Sequence, residues 1–310
     1  MLSGHRILIT GVTGRIGGAI AAALAPTNTV IGLARYGRVG ALDDVKSLGV
    51  TPVIGDFARG SLDDVPHNVD YVLHVAADIR PASAVDGMID NADGAARLMG
   101  HCRAARAFLH VSASSVYAQN ADPYHVYPES SDLGGGFGGQ YSATKLAGEG
   151  AVRAAAALLN LPTIICRQNV QYGGLGVDAG LIDRFLDHFV ETGEVYLPLE
   201  GPLIIGPIHE DDIVSLVEPS LAAAAVPAHI LNWGGDELVD WQELFDFVGD
   251  LIGKSPKFIR KAEFNFPNYY PDPTARRALT GPCKVSWRDG IRRTLELRHP
   301  GIALTALTEQ

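Results

Sequence analysis

A doubly wound parallel α/β sheet with a smaller, mixed C-terminal lobe is the fold class the sequence predicts. Three observations point to it. Short β-branched runs alternate with Ala-rich helical stretches through the first half of the chain, the pattern of βαβ units. Those runs are almost continuously apolar, as expected when helices cover both faces of a parallel sheet. Beyond about residue 167 the alternation loosens, and proline and aromatic residues crowd into Phe264–Pro273.

Each element follows in order. Arg6 to Thr10 (RILIT) reads as the first strand and Ile16 to Ala25 as the helix after it. Thr29–Leu33, Thr51–Ile54, Tyr71–Val75 and Phe108–Ser112 continue the strands. Ser83–Arg103 reads as a long helix between the fourth and fifth. Tyr141–Leu159 is a second long helix and Thr163–Cys166 the strand behind it. Further on, helices are expected at Ala179–Glu191, Asp211–Ala224 and Asp240–Ile252, with strands at Val195–Leu197 and His229–Asn232. The expected division is residues 1–170 for the sheet domain and 171–310 for the second lobe, interleaved with the first. The glycine run at 134–139 reads as a loop or a close backbone approach to a ligand.

Composition narrows the function. The chain has 310 residues, 47% of them hydrophobic and 19% charged, enough apolar material for a real core. Its net charge of −10 argues against a phosphate backbone as partner, because nucleic-acid binders present a basic face. Cys102, Cys166 and Cys283 are far apart and match no metal-ligand or disulfide spacing. No apolar stretch reaches the roughly 18–20 residues that span a bilayer. The first residues run straight into a strand without the features of a signal peptide. The expectation is a cytoplasmic protein with a small-molecule substrate, no metal and no membrane partner.

The most informative segment is Thr10-Gly11-Val12-Thr13-Gly14-Arg15-Ile16-Gly17, between the first strand and the first helix. Gly11 permits a tight turn, Gly14 clears a Cβ where a diphosphate must approach the backbone, and Gly17 lets the helix pack on the strand. The helix start then offers free N–H groups and partial positive charge. Gly11, Thr13, Gly14, Arg15, Ile16 and Gly17 are therefore assigned to a dinucleotide, the signature of a Rossmann fold. The second strand ends at Arg35, where an NAD-selective fold carries an acid for the ribose 2′-hydroxyl. A guanidinium there suits a 2′-phosphate, and Arg38 and Arg15 add charge. NADP(H) is expected over NAD(H); the alternative is that Arg35 is a solvated loop residue.

Tyr141-Ser142-Ala143-Thr144-Lys145 sets a tyrosine and a lysine four apart, on one helix face. The ammonium is expected to lower the phenol pKa from near 10, so that Tyr141 exchanges a proton with a substrate oxygen.

With these residues in hand, the sequence resembles the extended short-chain dehydrogenase/reductase family, also called NAD-dependent epimerase/dehydratases. The resemblance rests on Thr10–Gly17, Gly55-Asp56, His74-Val75-Ala76-Ala77, Asn91-Ala92-Asp93-Gly94, Val111–Tyr117, Tyr141–Lys145 and Ile208–Ile213. It implies that Asp56 and Phe57 sit at the adenine and that Ala76 and Ala77 pass under the nicotinamide ribose. It also implies Tyr141 as the acid/base, Lys145 as holder of the ribose hydroxyls, and a homodimer built on two helices per subunit. The family's catalytic Ser/Thr position is Ala113 here, flanked by Ser112 and Ser114; Ser114 is the expected substitute and Ser112 the other candidate.

Sugar-nucleotide members usually carry an Arg at the place of Ile205 and an Asn at the place of Val170. With both diphosphate contacts apolar, the expectation is a small, non-nucleotide carbonyl or alcohol substrate, walled in part by Phe264–Tyr270, although those aromatics serve equally as a clamp for the second lobe. An NAD-dependent sugar or sugar-nucleotide epimerase or dehydratase is the alternative, and a non-catalytic NADP-sensing module a third. His209–Asp212 reads as the acidic first turn of a helix rather than a metal site. Gly249–Ser255 reads as a helix end rather than a phosphate loop, and His74 and His110 read as satisfied core histidines.

Overall fold

The computed structural model describes residues 2–134, 139–174 and 180–305. Its centre is a seven-stranded, all-parallel sheet. The first five strands in sequence are β1 (Arg6–Thr10), β2 (Thr29–Ala34), β3 (Thr51–Ile54), β4 (Tyr71–His74) and β5 (Ala107–Ala113). From one edge the order is His229–Trp233, Thr163–Gln168, β5, β4, β1, β2, β3. The direction of winding reverses between β1 and β4, which opens a crevice beyond their carboxyl ends, where ligands bind in such folds.

The strands sit between two apolar layers. Ile7, Ile9, Leu109 and Ile164 face one layer with Ile20, Leu24, Leu216 and Val217. Leu8, Val72, Phe108 and Ile165 face the other with Leu98, Met99, Val152 and Ala156. This two-sided burial is why the strands read as continuous apolar runs. A third, aromatic-rich core, with Phe189, Trp241, Phe245 and Trp287, fills the region built from residues beyond 170. Among the described residues beyond 170, the His229–Trp233 strand pairs with Thr163–Gln168 and the Glu210–Ala222 helix packs on the sheet through Leu216 and Val217.

The sequence reading missed some elements. A short helix spans Ala41–Ser47, and two more close the chain at Thr274–Thr280 and Trp287–Arg298. The last carries Arg288, Asp289, Arg292, Arg293, Glu296 and Arg298. It buries little more than Trp287, Ile291 and Leu295, a stripe narrow enough to pass for a loop. The long helix read at Ser83–Arg103 is broken by a π-helical turn at Ile89–Asp93 and ends at His101. Most of the glycine run, residues 135–138, lies outside the described residues. Gly253 adopts φ +66° and ends the Trp241–Ile252 helix, as read.

A buried ionic network pins the Gln140–Leu159 helix to the sheet. Arg167 donates from Nε and Nη2 to Glu149 Oε1 and Oε2 at 3.0 and 2.8 Å, and both side chains are buried. Ser112 Oγ donates to Glu149 Oε1 at 2.6 Å. Arg167 also donates to the Glu129 carbonyl and lies 4.8 Å from the Tyr117 ring centre. Each guanidinium nitrogen donates at least once and both carboxylate oxygens accept, so the pair is a geometric lock rather than a loose charge contact.

Removing one partner strands the other charge in the core. Arg167→Met is expected to cost about 3–5 kcal/mol in urea unfolding. Breaking the exposed Arg38–Asp44 pair with Arg38→Ala is expected to cost less than about 1 kcal/mol. Equal losses in the two variants would show that the Glu149–Arg167 pair does not lock the helix.

Candidate active site

At the carboxyl end of β1 the chain turns through Gly11, at φ +71°. A Cβ on Gly11 would lie 2.8 Å from the Ala76 nitrogen, so this turn touches the loop after β4. A Cβ on Gly17 would lie 2.3 Å from the Gly11 carbonyl oxygen, so the helix Arg15–Leu24 (α1) packs directly on the turn. Gly14 is the extended N-cap of α1, and no side chain caps it. The first-turn N–H groups therefore face the crevice without an intrahelical partner. An added Cβ at Gly14 meets only the Gly11 oxygen, at 3.3 Å; a separate cavity of about 260 Å³ lies between α1 and the Ala41–Ser47 helix and reaches Thr13 and Gly14 at one end. Ile16 packs against the sheet core. The cradle fits a diphosphate.

Thr10 joins the two loops. Its Oγ1 accepts from the Val75 and Ala76 nitrogens at 3.2 Å and lies 2.8 Å from His74 Nδ1. The hydroxyl proton therefore goes to Nδ1, which leaves the ring proton on His74 Nε2. His74 stacks on His110 across β4 and β5, ring centres 5.3 Å apart. Both imidazoles are fully buried, and no partner meets His74 Nε2 or either nitrogen of His110. They are core histidines, as read, but they are not satisfied. Burial first and the nearby Lys145 second hold His74 down to about 3 and His110 well below its usual range.

Tyr141 and Lys145 share the face of the Gln140–Leu159 helix above these strand ends. Lys145 Nζ donates to the Val111 carbonyl at 2.6 Å. Burial lowers its pKa to about 8, against an opposing pull from Glu149. Burial pushes the half-buried Tyr141 phenol up to about 12, and no lowering by Lys145 accompanies it. This corrects the expectation of a phenolate favoured by the ammonium: the amine is turned inward to a backbone carbonyl, and desolvation of the ring dominates. Among the described residues the Tyr141 hydroxyl has no hydrogen-bond partner.

The serines separate. Ser112 is committed to Glu149, so it belongs to the network under the helix and not to the site, which corrects its candidacy as a catalytic group. Ser114 opens a short 3-10 turn at the end of β5, and its buried Oγ has no partner; Ser115 Oγ is in the same condition. Ala113 pairs in register with Gln168, whose Oε1 is also buried and unpartnered. Sequence reading gave Ser115 and Gln168 no role, because only the strand register sets Gln168 opposite Ala113, just before the turn that carries Ser115. It also gave Asn91 no role. Asn91 sits in the π-helical turn, exchanges hydrogen bonds with the Asp78 backbone at 2.7 and 2.9 Å, and donates to Thr144 Oγ1 at 3.0 Å. The loop after β4 is thereby tied to the helix of Tyr141.

The other assigned residues divide similarly. Asp56 Oδ1 accepts from the Ala58 and Arg59 nitrogens and closes the turn after β3. Phe57 stands edge-on to His74, ring centres 5.0 Å apart. Ala76 and Ala77 lie in the half-buried loop beside Gly11. Arg35 is exposed at the end of β2, with no ion pair among the described residues, while Arg38 is paired with Asp44. Arg15 departs from its expected role. Its guanidinium pairs with Asp183 and the Gly173 carbonyl, so it does not stand free for a 2′-phosphate. Ile205 is buried in the aromatic core and Val170 packs against it. Phe264 belongs to that core, and Tyr269 packs with Tyr117 and Tyr127. Phe264 and Tyr269 thus pack as the clamp alternative has it rather than as a substrate wall, and Ile205 and Val170 pack with the same core. Among the described residues no three His, Cys, Asp or Glu side chains gather as metal ligands, and no helix is long and apolar enough to cross a membrane.

A sequence model of the NAD dependent epimerase/dehydratase family matches residues 7–232. No curated protein sequence matches the chain. Among solved structures, MoeE5 in complex with UDP-glucuronic acid and NAD superposes with a TM-score of 0.78 at 22% identity, covering 94% of this chain and 98% of that one. UDP-N-acetylglucosamine 4-epimerase from Methanobrevibacter ruminantium M1, in complex with UDP-N-acetylmuramic acid, gives 0.82 at 17% identity, covering 96% and 99%. dTDP-glucose 4,6-dehydratase from Bacillus anthracis str. Ames, in complex with NAD, gives 0.81 at 19%, covering 96% and 97%. At these identities the likeness is one of fold.

The buried histidines give a pH signature. Their folded pKa values lie below the unfolded value near 6.5, so their contribution is complete above about 6.5 and is lost as pH falls toward the folded pKa. Stability is expected to drop by about 1.4 kcal/mol per pH unit per histidine below pH 6. Urea midpoints between pH 7 and pH 5 check this, and His110→Phe should flatten the slope. An unchanged slope in that variant would contradict the burial of a neutral imidazole.

Proposed function

The chain belongs to the NAD dependent epimerase/dehydratase family, and on that premise we propose that it is a nicotinamide-dinucleotide-dependent enzyme of the extended short-chain dehydrogenase/reductase type acting on a sugar nucleotide. The observation that carries the reading is the placement of Tyr141 and Lys145 one helical turn apart, above the strand ends that hold the glycine turn. The nicotinamide, when bound, supplies or takes a hydride at a substrate carbon. This chain's residues do the rest. Gly11, Thr13, Gly14, Ile16 and Gly17 take the diphosphate, Asp56 and Phe57 border the adenine, and Ala76, Ala77 and Lys145 hold the nicotinamide ribose.

A phenol kept protonated by burial is poised to donate to a substrate oxygen as charge builds on it. The unpartnered Ser114 and Ser115 hydroxyls and the Gln168 amide oxygen support a ligand rich in hydroxyl groups. The solved relatives bound to UDP and dTDP sugars or to NAD support the same substrate class. A second reading, a non-nucleotide carbonyl compound, is favoured by one observation: Ile205 and Val170 put no cation where a diphosphate contact is expected. Thermal shifts with UDP, UDP-glucuronic acid and dTDP-glucose in the presence of dinucleotide separate the two. Stabilisation by the nucleotide sugars is expected; stabilisation by none of them favours the second reading.

Two variants test the site. Tyr141→Phe is expected to bind dinucleotide within about twofold of wild type and to lose turnover by about a hundredfold or more. Turnover within a few-fold of wild type would refute the assigned proton transfer. Arg35, exposed and unpaired, supports selection of a 2′-phosphate. Arg35→Ala is expected to weaken NADP+ binding by about tenfold or more, as one charge-assisted bond predicts, and to leave NAD+ nearly unchanged. Equal losses for both dinucleotides in calorimetric titration would contradict that role.

A further inference from the structure

We propose that Arg15 couples dinucleotide binding to the ordering of the second lobe, acting as a positioning residue between the glycine turn and the Leu181–Thr192 helix. The inference rests on the dinucleotide reading above and adds a role for a side chain which that reading leaves unused.

The geometry is specific. Arg15 is the first residue of α1, so its backbone N–H belongs to the turn that would take the diphosphate. Its side chain is only 6% exposed and runs away from the sheet, to the Gly173 carbonyl and the Asp183 carboxylate. Asp183 is fully buried in the first turn of the Leu181–Thr192 helix. Its Oδ2 also accepts from the Gly180 nitrogen at 3.1 Å and so caps that helix. Glu210, which opens the Glu210–Ala222 helix, is a second carboxylate in the field of the same guanidinium. The Glu210 carboxylate sits so close to Gly174 that a Cβ there would lie 2.2 Å from its oxygen. One cation at the diphosphate turn thus pairs with a carboxylate of the Leu181–Thr192 helix and lies in the field of another at the start of the Glu210–Ala222 helix, which packs on the main sheet.

The consequence follows from charge and from linkage. Without Arg15, Asp183 would be a buried carboxylate with only a backbone N–H for support. With Arg15, any ligand that fixes the Gly14–Ile16 turn also fixes the anchor of Gly173 and of the Leu181–Thr192 helix. Coupling of this kind is reciprocal, so a ligand held by the second lobe should in turn tighten dinucleotide binding. The helix keeps its own apolar anchorage through Ile182, Leu186 and Phe189, so loss of Arg15 should loosen its start without unfolding it.

Hydrogen exchange on the full chain, with and without saturating NADP+ or NAD+, tests the proposal. In wild type, bound dinucleotide should slow exchange both at the start of α1 and over residues 181–192, the latter by about fivefold or more. In Arg15→Met the protection of α1 should persist and the gain over 181–192 should fall below about twofold. Asp183→Asn, which keeps the arginine and removes its partner charge, should give the same loss and covers the case in which Arg15→Met does not fold. Retention of the gain over 181–192 in either variant with dinucleotide bound would overturn the proposal, as would its absence in wild type. If neither dinucleotide protects α1 in wild type, the cofactor reading itself fails, and this proposal with it.

Discussion

The buried fork between Glu149 and Arg167 is the interaction on which the site depends. It fixes one long helix over the carboxyl ends of the strands, and that helix carries Tyr141 and Lys145. A buried ion pair adds little net stability compared with apolar packing, but it defines one geometry sharply. Here the register matters: a shift of the helix by one residue would turn Lys145 away from Val111 and Glu149 away from Ser112. Ser112, attractive as a catalytic hydroxyl, is spent on holding that register.

Beneath the helix lie fully buried imidazoles with three ring nitrogens left unpartnered among the described residues. Thr10, His74 and His110 form a row across three adjacent strands, with Lys145 above them. Burial keeps the imidazoles neutral and brings the amine to about 8. The same desolvation raises Tyr141. The site thus holds a protonated phenol beside an amine able to change charge near neutral pH. That condition arises from packing, and it would be altered by any ligand that brings its own charge or hydroxyl groups to the cleft.

Much of this was legible in the chain. The strands of the sheet and the glycine turn follow from apolar runs and from glycine at the positions of close approach, because both are local signals. The Tyr141–Lys145 spacing is local as well. What escaped was long-range or weakly patterned. The partners of Ser112 are Glu149 and, through it, Arg167, and no spacing rule joins them. Arg15 looked like a cofactor cation because charge near a phosphate cradle has an obvious use, whereas its partner lies 168 positions on, at Asp183. Ile205 was read as a missing substrate contact and is a core residue. The closing helices hid behind their charge.

The claim at the centre is that this cleft moves a hydride under the control of a tyrosine. The near-ultraviolet absorbance of reduced nicotinamide reports it directly in a single mixing experiment. Protein carrying stoichiometric dinucleotide is mixed with UDP- and dTDP-linked sugars, and the absorbance is followed over time. The account predicts a change in reduced nicotinamide, transient or lasting, with at least one of them. Firm dinucleotide binding, firm sugar-nucleotide binding and a flat trace would contradict it.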